Sequence, residues 1–166
     1  MLLICSASSG ENRKLAFHLA DMAASLGMVA EVMDLTEDPL PLFTPARDDA
    51  GVPNGFAAIE AQFERATGML FCAPEYNGSI PPSLTNAIAW LSTRTDDFRA
   101  LFNGRPVAIA THSGGGGQKV LMAMRIQFAH LGGNVIGREL LTRKNKPLNE
   151  ASAQAVLTQL KAAMSS

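Results

Sequence analysis

Five short apolar runs alternate with five longer segments of helical periodicity, and this alternation constrains the fold more than any other feature of the chain. The runs are too short for typical helices, and they lack the apolar–polar alternation of strands with one exposed face. They therefore predict strands buried on both faces, as in a parallel sheet. These strands are predicted at residues 2–5, 29–33, 69–73, 106–110 and 134–136.

The longer segments predict amphipathic helices. In the first of them, Leu15, Leu19 and Leu26 recur at helical spacing, and Gly27 follows as a C-cap. Helices are predicted at residues 12–26, 55–66, 83–92, 118–131 and 150–164. Strands that alternate with helices predict an α/β fold, a doubly wound five-stranded parallel sheet with helices on both faces and right-handed crossovers.

The composition excludes several classes of protein. The chain has 166 residues, 47% of them hydrophobic, which suits a single domain over residues 1–166. Its net charge of −1 and its scattered basic residues argue against a nucleic-acid partner. No apolar run approaches the roughly 20 residues that span a bilayer, and the N-terminal residues lack the basic region of a signal peptide. We therefore expect a cytoplasmic protein without a membrane partner.

Residues 35–54 form one long connection that contains four prolines. Such a loop in a compact domain is usually functional or disordered. Its apolar members Leu40, Leu42 and Phe43 favour an ordered flap, packed on the surface or on a second subunit, and a mobile loop is the alternative.

Three loops that follow predicted strands are unusual in composition. Loop A (residues 6–12) is rich in hydroxyl side chains, loop B (residues 74–79) is Pro-Glu-Tyr-Asn-Gly-Ser, and loop C (residues 111–117) contains four successive glycines. In a doubly wound sheet of strand order 2-1-3-4-5, ligands bind beyond the carboxyl ends of the strands, where the winding reverses. Loops A and B flank that point and loop C lies next to them. The three loops are therefore predicted to form one crevice.

Loop A combines three serine hydroxyls, the Asn12 amide and Gly10 directly before a predicted helix. Hydroxyls and free N–H groups at a helix start form a phosphate site. An ordinary N-cap is the alternative, but a cap requires one such residue rather than four within seven.

The glycine pattern narrows the choice of phosphate ligand. A dinucleotide fingerprint needs Gly-x-Gly-x-x-Gly in the first strand–helix turn, where this chain has only Gly10. A Walker A motif needs a Gly-Lys pair that residues 117–120 do not supply. Asp34 ends the second predicted strand and could contact a ribose, but the glycines of a Rossmann site are missing. A hydroxyl-rich loop suits a mononucleotide such as FMN better.

Residues 74–90, Pro-Glu-Tyr-Asn-Gly-Ser-Ile-Pro-Pro-Ser-Leu-Thr-Asn-Ala-Ile-Ala-Trp, closely resemble the signature of the NAD(P)H-dependent FMN reductases. Residues 12–16 and loop C also lie where that family has counterparts, so the resemblance covers nearly the whole chain. It implies a flavodoxin-like fold, homodimers or homotetramers, and non-covalently bound FMN with NAD(P)H as co-substrate. It further implies an enzyme that reduces flavins, quinones or similar small acceptors.

The resemblance assigns one group of cofactor-binding residues to each loop. The phosphate group is held in loop A by Ser6, Ser8, Ser9 and Asn12. The isoalloxazine ring is lined in loop B by Pro74, Glu75, Tyr76, Asn77 and Gly78. Beside the ring, space for the nicotinamide is left in loop C by Ser113, Gly114 and Gly115.

The sequence departs from the family at two places. The family's first loop often carries an arginine for the phosphate, where this chain has Ser9 and Gly10, which predicts a modest FMN affinity. The family often has Lys and Asp where this chain has Thr85 and Ala89, and those positions tend to pair across the subunit interface.

Other functions find less support in the sequence. A hydrolase elbow is missing because Thr111 stands where its first glycine would be, and the histidines form no metal-binding pair. Cys5 and Cys72 are expected to be buried hydrophobic residues. We therefore predict no catalytic acid or base and no metal. One alternative is a flavodoxin-type carrier in which FMN relays single electrons without oxidation of NAD(P)H, although such carriers are usually strongly acidic. The other is a structural flavodoxin-like protein that binds no flavin.

Overall fold

The structure, a computed structural model, describes residues 1–165. Its strands are β1 Leu2–Ser6, β2 Ala30–Asp34, β3 Gly68–Cys72, β4 Pro106–His112, β5 Asn134–Val135 and β6 Leu140–Thr142. Its helices are α1 Glu11–Ser25, α2 Pro45–Asp49, α3 Phe56–Arg65, α4 Pro82–Leu91, α5 Gln118–His130 and α6 Glu150–Met164. Within residues 1–165, none of the helices combines the length and apolar character needed to cross a membrane.

The strands form one parallel sheet in the order β2-β1-β3-β4-β5, which confirms the predicted winding. The fifth position, predicted as one strand, is divided in two. β5 pairs with the first residues of β4, and β6 pairs with its last three, Ala110 to His112. Between them, Arg125 of α5 draws the carbonyl groups of Ile136 and Gly137 out of the ladder by hydrogen bonds of 3.0 and 3.3 Å. This interruption gives the sheet six strands.

The helices cover both faces of the sheet. α1 and α6 pack on one face, while α3, α4 and α5 pack on the other. β1 and β3 are buried along their whole length, as their uninterrupted apolar sequences predict. The rings of Phe71 in β3 and Phe128 in α5 stack with centroids 4.1 Å apart. The thiols of Cys5 and Cys72 are buried on opposite faces, and burial raises the pKa of both.

Residues 35–54 form a flap that packs on the surface of the same chain, as their apolar members favour. Trp90 of α4 donates a hydrogen bond of 2.8 Å from Nε1 to the Pro41 carbonyl, and its ring meets that of Phe43 edge-on at 5.2 Å. The flap contains α2, which Thr44 caps by accepting from the Arg47 N–H, and Asp48 forms an ion pair with Arg94. The flap thus covers the apolar side of α4.

Asn86 of α4 holds the flap by its main chain. Its Oδ1 accepts from the Phe43 N–H at 2.7 Å, and its Nδ2 donates to the Leu40 and Pro41 carbonyls at 3.0 and 3.1 Å. We predict that Asn86→Ala lowers the free energy of unfolding by about 2 kcal/mol, because backbone groups of the flap lose their partners. Urea denaturation measures this change, and limited proteolysis should cut the flap of the variant faster.

Thr85→Ala is the matched control, since Thr85 is exposed and makes only a 3.4 Å contact with the Pro81 carbonyl. We expect it to change stability by less than about 0.5 kcal/mol. If the Asn86 variant were as stable as this control, Asn86 would not be what holds the flap.

Candidate functional site

Loops A, B and C lie together at the carboxyl edge of the sheet, as the winding predicts. The Ala7 N–H donates to the Cys72 carbonyl at 2.9 Å, and the Ala73 N–H donates to the Ala110 carbonyl at 3.1 Å. The pairing of the three central strands thus continues into the beginnings of loops A and B. Main-chain hydrogen bonds between the strand ends therefore hold the loops close together.

A short chain of hydroxyl groups joins loops B and C. Thr111 donates its hydroxyl hydrogen to the Ala73 carbonyl at 2.6 Å, so in its 2.8 Å contact with Ser113 it accepts. The Ser113 oxygen in turn accepts from the Glu75 N–H at 2.9 Å. Both hydroxyl side chains are buried, and buried polar groups must be satisfied internally. Ser113 therefore positions loop B against loop C.

Glu75 ties loop B to α5 as well. Its Oε2 accepts from the Lys119 N–H at 3.2 Å, in the first turn of α5. The N-cap of this helix is Gly117, which offers no side-chain cap. A carboxylate stabilises a helix start through the exposed N–H groups and the helix dipole. Glu75 thus supplies the missing cap from the neighbouring loop.

Loop B ends in a tight hairpin. Asn77 and Gly78 have φ angles of 50° and 73°, and Tyr76 and Ser79 exchange two main-chain hydrogen bonds of 3.1 and 2.9 Å. Two successive residues of positive φ form a type I′ turn, for which Asn-Gly is the preferred sequence. The hairpin holds the half-exposed Tyr76 ring at the rim of the crevice.

Loop A presents unused hydroxyl groups to a cleft. The buried Ser6 donates its hydroxyl to the Ser8 carbonyl at 2.8 Å, whereas the hydroxyls of Ser8 and Ser9 bond to none of the described residues. α1 begins after Gly10 without any side-chain cap. The ordinary N-cap is therefore not the role of these serines, and the first N–H groups of α1 stay available for a ligand.

Asn12 has a structural role that the sequence did not indicate. Its buried amide donates to the His112 carbonyl at 2.9 Å and accepts from the His112 N–H at 2.8 Å. This pair of bonds clamps the start of α1 to the end of β4. Only one amide hydrogen is left for a phosphate, so the predicted contact of Asn12 with FMN stays a prediction.

The cleft below loop A has a volume of about 290 Å³. Two of the residues that line it, Thr36 and Ser83, are additions to the predicted site. Ser83 donates its hydroxyl to the Ala7 carbonyl at 2.8 Å and so joins the start of α4 to loop A. Its place after Pro82 at a helix start was visible in the sequence, but its contact with loop A was not.

The glycines of loop C serve different purposes. Gly117 has a φ of 79°, and a Cβ there would lie 3.0 Å from the Thr111 methyl group, so the backbone itself requires glycine. A Cβ on Gly114 or Gly115 would meet no protein atom within 4 Å, and neither residue has a positive φ. Folding does not require glycine at these two positions. They keep a space open beside the crevice.

Asp34 is engaged within the protein. Its side chain is 3% exposed, its Oδ1 accepts from both the N–H and the hydroxyl of Thr36 at 2.8 and 2.6 Å, and its Oδ2 lies 3.4 Å from Arg13 Nε. Arg13 also pairs with Glu37 at 3.7 Å. Asp34 thus fixes the end of β2, which removes the support for a ribose contact. Among residues 1–165, no group of three or more His, Cys, Asp or Glu side chains could hold a metal ion.

The sequence model of the NADPH-dependent FMN reductases matches residues 1–146 of this chain. The chain belongs to this family. It is 39% identical over 77 residues to a quinone reductase of Escherichia coli K12, a match that covers 46% of this chain and 39% of the relative. It is 30% identical over 125 residues to an NADPH:quinone oxidoreductase of Arabidopsis thaliana, covering 70% of this chain and 61% of the relative. The chain thus matches less than two thirds of the length of these relatives.

Solved structures share the fold. FerB, a flavoenzyme NAD(P)H:(acceptor) oxidoreductase from Paracoccus denitrificans, superposes with a TM-score of 0.75 at 20% identity, covering 99% of this chain and 94% of its own. A flavodoxin from the domain Archaea superposes with a TM-score of 0.70 at 10% identity, covering 99% of both chains. The predicted flavodoxin-like fold is confirmed.

The cofactor of an NADPH-dependent FMN reductase is FMN with NAD(P)H as co-substrate, as the resemblance implied. The residues present fit this cofactor. The uncapped start of α1 and the unused hydroxyls of Ser8 and Ser9 suit a phosphate, although no cationic side chain lines the cleft below loop A. The open space at Gly114 and Gly115 suits a flat ring. The individual contacts of the predicted cofactor-binding residues stay predictions.

We predict that Ser8→Ala weakens FMN binding about tenfold, because a hydrogen bond to a charged group contributes about 1.5 kcal/mol or more. Riboflavin, which lacks the phosphate, should bind the variant as well as the parent. Fluorescence titration of both flavins measures the two affinities. Equal weakening of FMN and riboflavin would contradict a phosphate site at loop A. Ser8 is preferred to Asn12 for this test because the Asn12 side chain also holds the fold.

Proposed function

We propose that this chain uses NAD(P)H to reduce non-covalently bound FMN and then reduces a second small acceptor, a flavin, a quinone or a similar compound. The observation that carries the proposal is the arrangement at the carboxyl edge, where the cleft below loop A lies and where Ser113 and Glu75 join loop B to loop C and α5. Loop A offers unused hydroxyl and N–H groups there, and loop C offers open space at Gly114 and Gly115. An FMN-dependent reductase needs both features.

The choice of acceptor is supported by the names of the relatives. Besides the two quinone reductases, an NADPH azoreductase of Bacillus sp. is 25% identical over 134 residues, covering 80% of this chain and 68% of the relative. Quinones and azo compounds are flat and accept two electrons. An opening bounded by glycines admits such molecules in turn with the nicotinamide.

FMN, when bound, supplies the redox chemistry by accepting a hydride and passing its electrons on. The chain itself binds and orients the flavin and excludes water from it. Loop B presents main-chain donors and acceptors on a fixed hairpin, and the Ser113 hydroxyl keeps that hairpin at a set distance from loop C. Hydride transfer requires no protein acid or base, so the site needs no catalytic side chain. One opening used in turn by donor and acceptor gives ping-pong kinetics.

The open glycine loop favours this reductase over the flavodoxin-type carrier. A carrier has no need for a space in which a second ring stacks on the flavin. The chain is also nearly neutral, with a net charge of −1, whereas carriers that dock basic partners are usually strongly acidic.

We further infer a homodimer or homotetramer. This inference does not rest on α4, because the flap of the same chain covers the apolar side of that helix. Exposed apolar side chains remain on the flap, where Leu42 is 70% exposed, and on α5, where Met122 and Ile126 are 63% and 70% exposed at a spacing of one helical turn. The cytoplasmic location likewise stays a prediction.

We predict at least a dimer at micromolar concentration, and a shift toward monomer when Ile126 is replaced by Glu, because a charge on a buried apolar face opposes association. Light scattering measures the mass of both proteins. A monomeric parent would contradict the inference. The flavin spectrum of the variant controls for correct folding.

We predict that NADPH bleaches the FMN-loaded protein under anaerobic conditions and that Gly115→Val slows this step by roughly tenfold to hundredfold. The valine side chain would occupy the space at which the nicotinamide approaches, and small misplacements of reacting groups have effects of this size. FMN should stay bound, since a Cβ at Gly115 meets no protein atom within 4 Å and the fold is not disturbed. Stopped-flow absorbance measures the rate.

Gly137→Val is the matched control, because Gly137 also faces open space without a positive φ but lies between β5 and β6. It should leave the rate of reduction unchanged, and dithionite should bleach all three proteins alike. A parent protein that dithionite reduces and NADPH does not would favour the carrier.

A further inference from the structure

The basic turn (residues 143–146, Arg-Lys-Asn-Lys) has no part in the function proposed above. It follows β6 directly and is closed by two main-chain hydrogen bonds between Arg143 and Lys146, of 2.9 and 2.8 Å. β6 is paired with the end of β4, and the Thr142 hydroxyl donates to the Thr111 carbonyl at 3.0 Å. The turn is exposed from Lys144 to Lys146, and these contacts fix its start at the carboxyl edge of the sheet.

The basic turn borders a cleft on the α1 side of this edge. Two adjoining cavities of about 270 and 450 Å³ share Glu11, His112 and Pro147 as lining residues. Lys14 of α1 lines the first cavity, and Arg143 and Lys144 line the second. We call the two cavities together the basic cleft. It is separate from the cleft below loop A, with which it shares no lining residue.

The charges of the basic cleft are not balanced. Glu11 is neutralised by Lys14 at 2.7 Å, which lowers the pKa of the Glu11 carboxyl. Within residues 1–165, neither Arg143 nor Lys144 has an acidic partner, and the buried Nε of Arg143 forms no hydrogen bond. A buried guanidinium nitrogen without a partner is unusual, because such groups are normally satisfied. The cleft therefore has two cationic groups available for an anion.

The basic cleft adjoins loop C. The Ser113 N–H of loop C donates to the Thr142 carbonyl at 3.2 Å. Thr142 directly precedes Arg143, so the basic turn begins beside this contact. The His112 side chain lines both cavities, and the next residue is Ser113. The cleft therefore borders the start of loop C through His112 and Thr142.

We propose that the basic cleft binds the 2′-phosphate of NADPH and thereby gives this protein a preference for NADPH over NADH. The inference rests on the proposed function, in which the nicotinamide lies at loop C. The 2′-phosphate is a dianionic monoester on the ribose distant from the nicotinamide, and a guanidinium with a neighbouring ammonium is the pair of side chains suited to it. The adenosine part of the dinucleotide needs the room that the cleft supplies.

The test is the double variant Arg143→Gln with Lys144→Gln in the FMN-loaded protein. We expect its KM for NADPH to rise about tenfold to hundredfold and its KM for NADH to change less than about twofold, because only NADPH loses charged hydrogen bonds. Calorimetry with adenosine 2′,5′-bisphosphate and with 5′-AMP provides a readout that needs no turnover. Binding of the bisphosphate should weaken by a similar factor in the variant, while binding of 5′-AMP stays as in the parent.

Lys146→Gln is the matched control, since it removes one charge from the same turn without lining the cleft. Lys119→Gln tests the cation on the other side of loop C, whose side chain lies near Gly78. Equal rises of KM for NADPH and NADH, no rise at all, or a loss of NADPH preference only in the Lys119 variant would each overturn the proposal while the reductase function stands. If the parent fails to oxidise NADPH but calorimetry shows the expected loss, the proposed function fails and the phosphate site stands.

Discussion

Burial of the central strands on both faces is the constraint on which the rest of the structure depends. β1 and β3 have no side chain in contact with water, and β4 has only His112, its last residue, partly exposed. Polar groups that act on a ligand can therefore stand only beyond the strand ends. The apolar sequences that form the sheet also move the chemistry to one edge of it.

That edge is itself crowded with polar groups, and the structure satisfies them with one another. Thr111, Ser113 and Asn12 are buried, and the side chain of each forms a hydrogen bond with a main-chain group of a neighbouring segment. An unpaired buried polar atom would cost about 1–3 kcal/mol, so these bonds specify a single arrangement of the loops. The hydroxyls of Ser8 and Ser9 and the Nε of Arg143 differ from these groups, because none of them forms a hydrogen bond within residues 1–165.

Much of this architecture could be predicted from the sequence. The apolar runs located all five sheet positions, and helical periodicity placed α6 at its observed bounds and the other long helices within one residue of theirs. β6 was missed because Leu140, Leu141 and Thr142 are only three residues that follow the polar segment 137–139, a run too short to indicate a strand. α2 was missed because a helix of five residues in a proline-rich flap carries no periodic signal.

The site was predictable to the level of its loops. Winding order brought loops A, B and C together. The hairpin of loop B was not predicted, although Asn77-Gly78 is the preferred sequence of a type I′ turn. The roles of Asn12 and Ser83 could not be predicted, because their partners His112 and Ala7 lie 100 and 76 residues away along the chain. Sequence reasoning assigned Asn12 to a ligand since an amide at a helix start suits both tasks. Only the three-dimensional arrangement shows that its amide already bonds to β4.

The clamp between Asn12 and His112 has a consequence for how the protein matures. The clamp joins two residues that are 100 positions apart, and closing so long a loop costs conformational entropy. The clamp therefore forms only after β3 and β4 have docked beside β1. The crevice is therefore completed late in folding, whereas each βα unit can form earlier from contacts close in sequence. A flavin that binds only the completed crevice draws the last folding equilibrium toward the native state by mass action. A bound flavin would therefore add to the free energy of unfolding as its free concentration rises.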